Sequence, residues 1–241
     1  WKQGRTSEGK KPATINRQMN DLRACFNKAV EWGSLAKSPF DGNKVKPCQT
    51  DSSAKVRHLS PEEEQQLRKA LDEREEEMKA GRASGNEWRA ERGYSAYGDL
   101  NDQAFADHLK PAVLLSLNTG LRRGELLKLK WTNVDLEHRN LTVVADTAKN
   151  AKTRHIKLND EALSILKAWK EKPGVESLNR YVFSDSRGQP FNDMRTSWEG
   201  LMQRAKINEF RWHDLRHTFA SKLVIAGVDL IRVQALLGHS D

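Results

Sequence analysis

His213-Asp214-Leu215-Arg216-His217-Thr218-Phe219-Ala220, followed by Leu236-Leu237-Gly238-His239-Ser240, frames the C-terminal part of the chain. A helix is expected over 213–226, a break at Gly227, and a second helix over 229–237 that Gly238 closes. On a helix, positions 213, 216 and 217 lie on one face, so His213, Arg216 and His217 point the same way. His239 then sits just past a helix end, where histidines are commonly structural. The first stretch also fits H-[D/E]-x-x-H, the zinc pattern of metallohydrolases. Against zinc, the general-base position holds the shorter Asp214, and cationic Arg216 would lie beside a dication.

Upstream, Thr119-Gly120-Leu121-Arg122-Arg123-Gly124-Glu125-Leu126 reads as a Gly-broken turn into a helix, with two arginines near its N-terminus. Glu125, three residues after Arg122, is placed to pin that guanidinium, although a surface ion pair has the same spacing. Pro111 to Leu117 before the turn reads as a buried helix. Strands are expected over 141–144 and 155–158, joined by a polar turn, and over 181–183. Ala148-Lys149-Asn150-Ala151-Lys152-Thr153-Arg154 falls at the hairpin tip, where polar residues are ordinary. Further helices are expected over 160–172 and 192–206.

Ser60-Pro61-Glu62-Glu63 is a capping box with proline at the first helical position, opening a helix through Leu67 and Leu71. Gly81 to Gly98, rich in Gly, Ser and charge, reads as an exposed insertion within the acidic 72–107 region. Nearer the N-terminus, Ile15, Met19, Leu22, Phe26, Ala29 and Val30 recur at helical spacing, with Arg17, Arg23 and Lys28 on the other face. The aperiodic polar stretch over 47–55 reads as a linker, putting a boundary near residue 55. Helices dominate with a few short strands, so the expected class is mostly α with a small β component, α+β.

Charge and composition narrow the partners. Net charge runs +7 over residues 1–58, −5 over 59–110 and +6 over 111–241, within a total of +8 for 241 residues. Two basic blocks around an acidic one suit a polyanion such as DNA, although many soluble proteins are mildly basic without one. Cys25 and Cys48 are too few for a disulfide framework or a cysteine-built metal site, which fits a cytoplasmic protein. The longest apolar stretch, 111–117, is far short of a membrane span, so no membrane partner is expected. The start at Trp1 without Met reads as a piece of something longer.

Taken in order, the four elements resemble the tyrosine recombinases, the phage-integrase family. Thr-Gly-Leu-Arg122 with Glu125 looks like the first arginine box and Lys149 like the hairpin lysine. His213-x-x-Arg216-His217 looks like the second box and Leu-Gly-His239 like the third. The resemblance covers roughly 56–241 and implies a catalytic domain without its C-terminal segment. Residues 1–55 would then be part of the helical core DNA-binding domain plus a linker. It implies site-specific recombination through a covalent 3′-phosphotyrosine, integrating or excising a mobile element, with no cofactor and no metal.

The same resemblance implies individual roles. Arg122 and Arg216 would hold the phosphate, Lys149 protonate the leaving 5′ oxygen and His213 assist at the nucleophile, with His239 a further donor and Glu125 orienting an arginine. DNA contacts are expected from Arg17, Arg23, Lys28, Lys152 and Arg154, while Arg123 and His217 are read as flanking. Tyr94, Tyr97 and Tyr181 lie outside any matching motif, so the nucleophile is expected beyond Asp241 and this chain by itself is expected not to cleave. The full-length protein would act as a tetramer on double-stranded attachment sites, the 241-residue chain being a monomer. A helix-turn-helix regulator reading of 220–237 stays open beside the zinc one, but it leaves Arg122, Lys149 and His239 without a role.

Overall fold

The computed structural model describes residues 1–42, 45–50, 56–144, 153–172, 175 and 181–238. Two compact units divide the chain, Trp1–Lys55 and Val56–Asp241.

The first unit is built from α1 (Lys2–Ser7) and α2 (Pro12–Glu31). Proline opens α2, where its missing N–H has no intrahelical partner to lose, and Ile15 and Met19 are the buried side chains of its apolar stripe. Helix α1 has no buried residue and no apolar period, so periodicity does not reveal it. Part of the stretch expected to be a linker is docked on α2. The Asn16 amide donates to the Cys48 carbonyl at 2.9 Å and accepts from the Cys48 N–H at 2.7 Å.

In the second unit, α3 (Pro61–Glu91) begins with the expected capping box, in which Ser60 and Glu63 satisfy each other's backbone N–H. It then continues through Gly81 and Gly85 to Glu91, so most of the expected insertion is helix. Each interior glycine costs a helix about 1 kcal/mol. That cost is offset by a strap that folds back on the last turns. Asn86 pairs with both backbone groups of Tyr97, Arg89 donates to the Ser95 carbonyl at 2.6 Å, and Arg82 donates to that of Gly98 at 3.1 Å.

At the centre lies α4 (Leu109–Thr119), where Leu109, Ala112, Val113, Leu115 and Leu117 are at most 1% exposed. A helix apolar all round must be enclosed, and α4 packs against α6 (Asp160–Lys170) and α8 (Trp212–Ile225). Each fully buried leucine contributes about 1.5–3 kcal/mol, so this enclosure fixes where α4 ends. After it come α5 (Arg123–Leu127), a 3-10 turn (Trp131–Asn133) and a three-stranded antiparallel sheet. The sheet consists of β1 (Val134–Asp135), β2 (Asn140–Val143) and β3 (Arg154–Lys157), with Leu141 opposite Ile156 and Val143 opposite Arg154.

The expected strand over 181–183 does not form. Tyr181 makes a single antiparallel bridge to Lys130, and the Val182 N–H donates to the Leu129 carbonyl at 2.7 Å. The indole of Trp169 takes the Val182 carbonyl at 2.7 Å, so side chain and loop satisfy the backbone a ladder would have used. Helix α7 (Arg195–Ala205) packs on α3, and α9 (Leu230–Leu237) lies against β3 and α8. The class is α+β, mostly helical with one small sheet, as expected.

Candidate active site

The site forms where two helices end in left-handed glycines. Gly120 (φ +63°) ends α4 and Gly238 (φ +64°) ends α9. Both conformations favour glycine, and at position 120 a Cβ would come within 2.5 Å of the Phe219 ring. The turn at Gly120 aims the backbone so that Arg122 becomes the N-cap of α5. Glu125 accepts the Arg122 N–H at 2.8 Å and its Nη1 at 2.9 Å. The Arg122 side chain remains 43% exposed, and its Nη2 reaches the Gly238 carbonyl at 3.4 Å.

Arg216 arrives from α8, 2% exposed. Its Nη1 donates to the Gly120 carbonyl at 2.9 Å and its Nη2 to the Leu237 carbonyl. Burial, with Arg122 and Arg154 nearby, lowers its pKa to about 10, which leaves it charged at neutral pH. Two of its five N–H groups are so used, and the other three meet no acceptor among the described residues. The backbone of α8 is oriented by Asp214, which is fully buried and accepts the Arg211 N–H at 2.7 Å as a helix cap. At the other end of the same turn the Thr218 hydroxyl accepts from the Leu59 N–H at 3.0 Å.

His213 is exposed on the first turn of α8, its ring 5.0 Å from that of His217 in an edge-to-face pair. Partial desolvation, then His217, Arg216 and Arg122, hold its pKa below the usual imidazole range, so it is neutral at pH 7 and able to accept a proton. Beside it opens a groove of about 500 Å³ lined by Arg123, Arg195, Arg211 and Trp198 among others. Arg123 is paired there with Asp193 at 2.8 Å.

Arg154 departs from its expected role. A DNA contact is expected of it at the hairpin, yet it is 9% exposed, with both terminal nitrogens on Glu125 at 2.9 and 2.6 Å. Its Nε donates to the Leu236 carbonyl at 2.9 Å. All three of its nitrogens are thus committed to acceptors within the protein, which makes it an internal tie. Strand alternation carries the signal for this: from Leu158 and Ile156 the inward positions step back by two onto Arg154. Burial by itself would raise the Glu125 pKa. Hydrogen bonds from Arg154 and the Arg122 backbone, and the Arg154 charge, outweigh it and hold the carboxyl at about 2.

Arg122, Glu125 and Arg216 are therefore brought together around the carbonyl end of α9, with His213 in the field of both arginines. Lys149, Lys152 and His239 lie outside the described residues. Tyr94 and Tyr97 belong to the α3 strap, both rings carrying Arg89, and Tyr181 lies under Lys130. In the first unit, Arg17 is exposed, Arg23 lies over the Phe40 ring at 5.2 Å, and Lys28 is paired with Glu31 at 2.7 Å. Asp214, the acidic residue of the zinc-like stretch, is occupied as the α8 cap. No helix among the described residues is long and apolar enough to cross a membrane.

Known proteins resemble this chain in sequence and in fold. The model of the phage integrase family matches residues 95–241, and the chain belongs to that family. A tyrosine recombinase XerC-like protein of Caldanaerobacter subterraneus subsp. tengcongensis is 28% identical over 97% of this chain and 61% of its own length. The integrase of Salmonella phage P22 is 33% identical over 54% of this chain and 36% of its own. This chain thus spans less than two thirds of the length of the first relative and about a third of the second. The fold matches the Tn1549 transposon integrase, solved in complex with circular intermediate DNA, at a TM-score of 0.69, with 21% identity over 100% of this chain and 76% of that one. A lambda integrase dimer bound to a core site matches at 0.62, with 20% identity over 100% of this chain and 74% of that one.

Proposed function

We propose that this chain supplies the phosphate-binding machinery of a site-specific DNA recombinase that cuts and rejoins duplex DNA through a 3′-phosphotyrosine. The observation that carries the reading is Arg216: a desolvated cation with two N–H groups anchored on carbonyls and three without an acceptor among the described residues, beside the half-exposed Arg122. Fixed charge of this kind matches a phosphodiester whose equatorial oxygens gain charge in the transition state. Arg122 and Arg216 take the non-bridging oxygens, and Glu125 keeps the Arg122 fork in place.

In this reading a tyrosine hydroxyl attacks phosphorus, its proton passing to neutral His213. The bond to the 5′ oxygen breaks, and Lys149 gives that oxygen a proton. His239 donates to the phosphate. The bond energy is kept in the phosphotyrosine, so rejoining needs neither ATP nor a metal. The partner is double-stranded DNA at an attachment site, held by the catalytic unit and by the basic first unit, which is read as part of a core DNA-binding domain. The expected assembly on DNA is a tetramer, the activity integration or excision of a mobile element, and the setting the cytoplasm.

A nicked duplex that cannot religate tests this. The 241-residue chain should bind it without a covalent adduct on a denaturing gel, and a version extended by a tyrosine-bearing segment after His239 should trap it. Arg122→Ala or Arg216→Ala in the extended version should abolish trapping. Undiminished trapping by both variants would remove the phosphate-binding role of these arginines.

A further inference from the structure

We infer that Arg154 is a positioning residue of this site: its three hydrogen bonds tie Glu125 to the end of α9 and so set where Arg122 and Arg216 point. The inference rests on the phosphate-binding reading only for what the two arginines hold, and not for how they are held.

The geometry is a closed set of contacts. Arg154 leaves β3 on the buried face and holds three groups at once, the two Glu125 oxygens and the Leu236 carbonyl. Glu125 carries Arg122 through the 2.8 and 2.9 Å bonds of the α5 cap. The next carbonyls along, of Leu237 and Gly238, receive Arg216 and Arg122. Three successive carbonyls at the end of α9 thus meet three different guanidiniums. The partial negative charge of a helix C-terminus favours this, and only Arg154 joins that end to the carboxylate by a bidentate fork.

Helix α9 has little else to hold it. Val233 and Leu237 are its only buried side chains, while Leu230 and Ile231 are 65% and 75% exposed. Gly238 also rests on the Arg154 stem, where a Cβ would stand 3.1 Å from its Cδ. Among the described residues, the α9 end without Arg154 keeps one buried donor and one long one, and Glu125 keeps only Arg122. Both phosphate-facing arginines then lose an anchor that they do not themselves touch. Lysine cannot replace it, because one ammonium cannot span a carboxylate and a carbonyl with the geometry of a fork.

The test uses the 241-residue chain and its Arg154→Ala and Arg154→Lys variants, each shown to be folded by circular dichroism. Two quantities are read: inorganic phosphate affinity by calorimetry, and the His213 titration midpoint by NMR. His213 is in the field of Arg216 and Arg122, which help to hold its pKa down. Positioning predicts that phosphate affinity falls about tenfold in both variants and that the His213 midpoint rises as Arg122 and Arg216 move off. Arg154→Lys should recover part of the thermal stability and neither readout. Wild-type affinity and an unmoved midpoint in folded Arg154→Lys would make Arg154 merely structural and overturn the inference. Should the wild type bind no phosphate while the midpoint still moves, the positioning role stands and the phosphate-binding reading falls. An unmoved midpoint with no phosphate binding removes both.

Discussion

Arg216 and Arg17 have the same side chain in opposite circumstances. Arg216 is 2% exposed, anchored on two carbonyls and lowered to about 10 by burial, while Arg17 stands in solvent on α2 with no carboxylate partner among the described residues. Positive charge thus has two uses in this chain. A buried, anchored guanidinium keeps its orientation before a ligand arrives and acts in a low dielectric, which catalysis of phosphate chemistry requires. An exposed one moves freely, is screened by salt, and contributes attraction without placement.

The sharpest way to break that distinction is stability. Arg216→Ala leaves the Gly120 and Leu237 carbonyls without their donor, at about 1–3 kcal/mol each, and removes a packed stem. A loss on the order of 4 kcal/mol in urea unfolding is expected, against less than about 0.5 kcal/mol for Arg17→Ala. Equal effects would mean that the anchoring contributes nothing.

Next in size is the acid limb. Glu125 is held at about 2 in the folded chain, below its ordinary 4.5. A depressed carboxyl stabilises the fold fully above its unfolded pKa, and that stability is lost as pH falls from about 4.5 toward 2. The difference corresponds to a contribution on the order of 3 kcal/mol. Glu125→Gln should flatten the unfolding free energy between pH 5 and 2 by about that amount, a window in which Arg17→Ala changes nothing. A wild-type slope in Glu125→Gln would assign acid sensitivity to other carboxylates.

Much of this site was legible in the chain. Arg122 and Glu125 follow the Gly-broken turn into a helix, His213 and Arg216 lie in the helix expected over 213–226, and Gly120 and Gly238 mark two helix ends. What was not legible depended on tertiary hydrogen bonds. The α3 extension through Gly81 and Gly85 needs the strap of Asn86, Arg82 and Arg89, and local propensity argues against it. The stretch around Tyr181 has strand-forming residues, yet the Trp169 indole takes its backbone carbonyl. At Arg154, a charge near a hairpin tip suggests solvent, whereas β3 alternation turns it inward.

Gly120→Ala tests the turn that makes Arg122 a cap. It forces a non-glycine residue to φ +63° and presses a methyl group against Phe219 on α8, the helix that carries Arg216. A loss of about 2 kcal/mol is expected from the strained backbone and the overpacking together. Because the Gly120 carbonyl also anchors Arg216, the variant should weaken inorganic phosphate binding as well. Full stability with full phosphate affinity would show that α8 yields easily and that the arginine does not depend on the turn.

The smallest effects belong to the exposed cations of the first unit. Each phosphate neutralised by a cation contributes about −0.9 to the slope of log binding constant against log salt. If Arg17 meets a phosphate, Arg17→Ala in the 241-residue chain should lower the magnitude of that slope by about 1, with duplex affinity falling a few-fold and stability unchanged. Lys28 is a different case, because Glu31 at 2.7 Å already neutralises it and its ammonium lies 5.8 Å from the Trp32 ring centre. Lys28→Ala should therefore change the slope by clearly less than Arg17→Ala, and Glu31→Gln should increase it by freeing the lysine. Both can be read from fluorescence anisotropy of a labelled duplex at several salt concentrations. If neither Arg17→Ala nor Glu31→Gln moves the slope, the α2 face does not meet DNA and the excess charge of residues 1–58 serves something else. If Lys28→Ala equals Arg17→Ala, DNA has displaced Glu31 from the lysine, and the ion pair is an exchangeable cover over a phosphate contact.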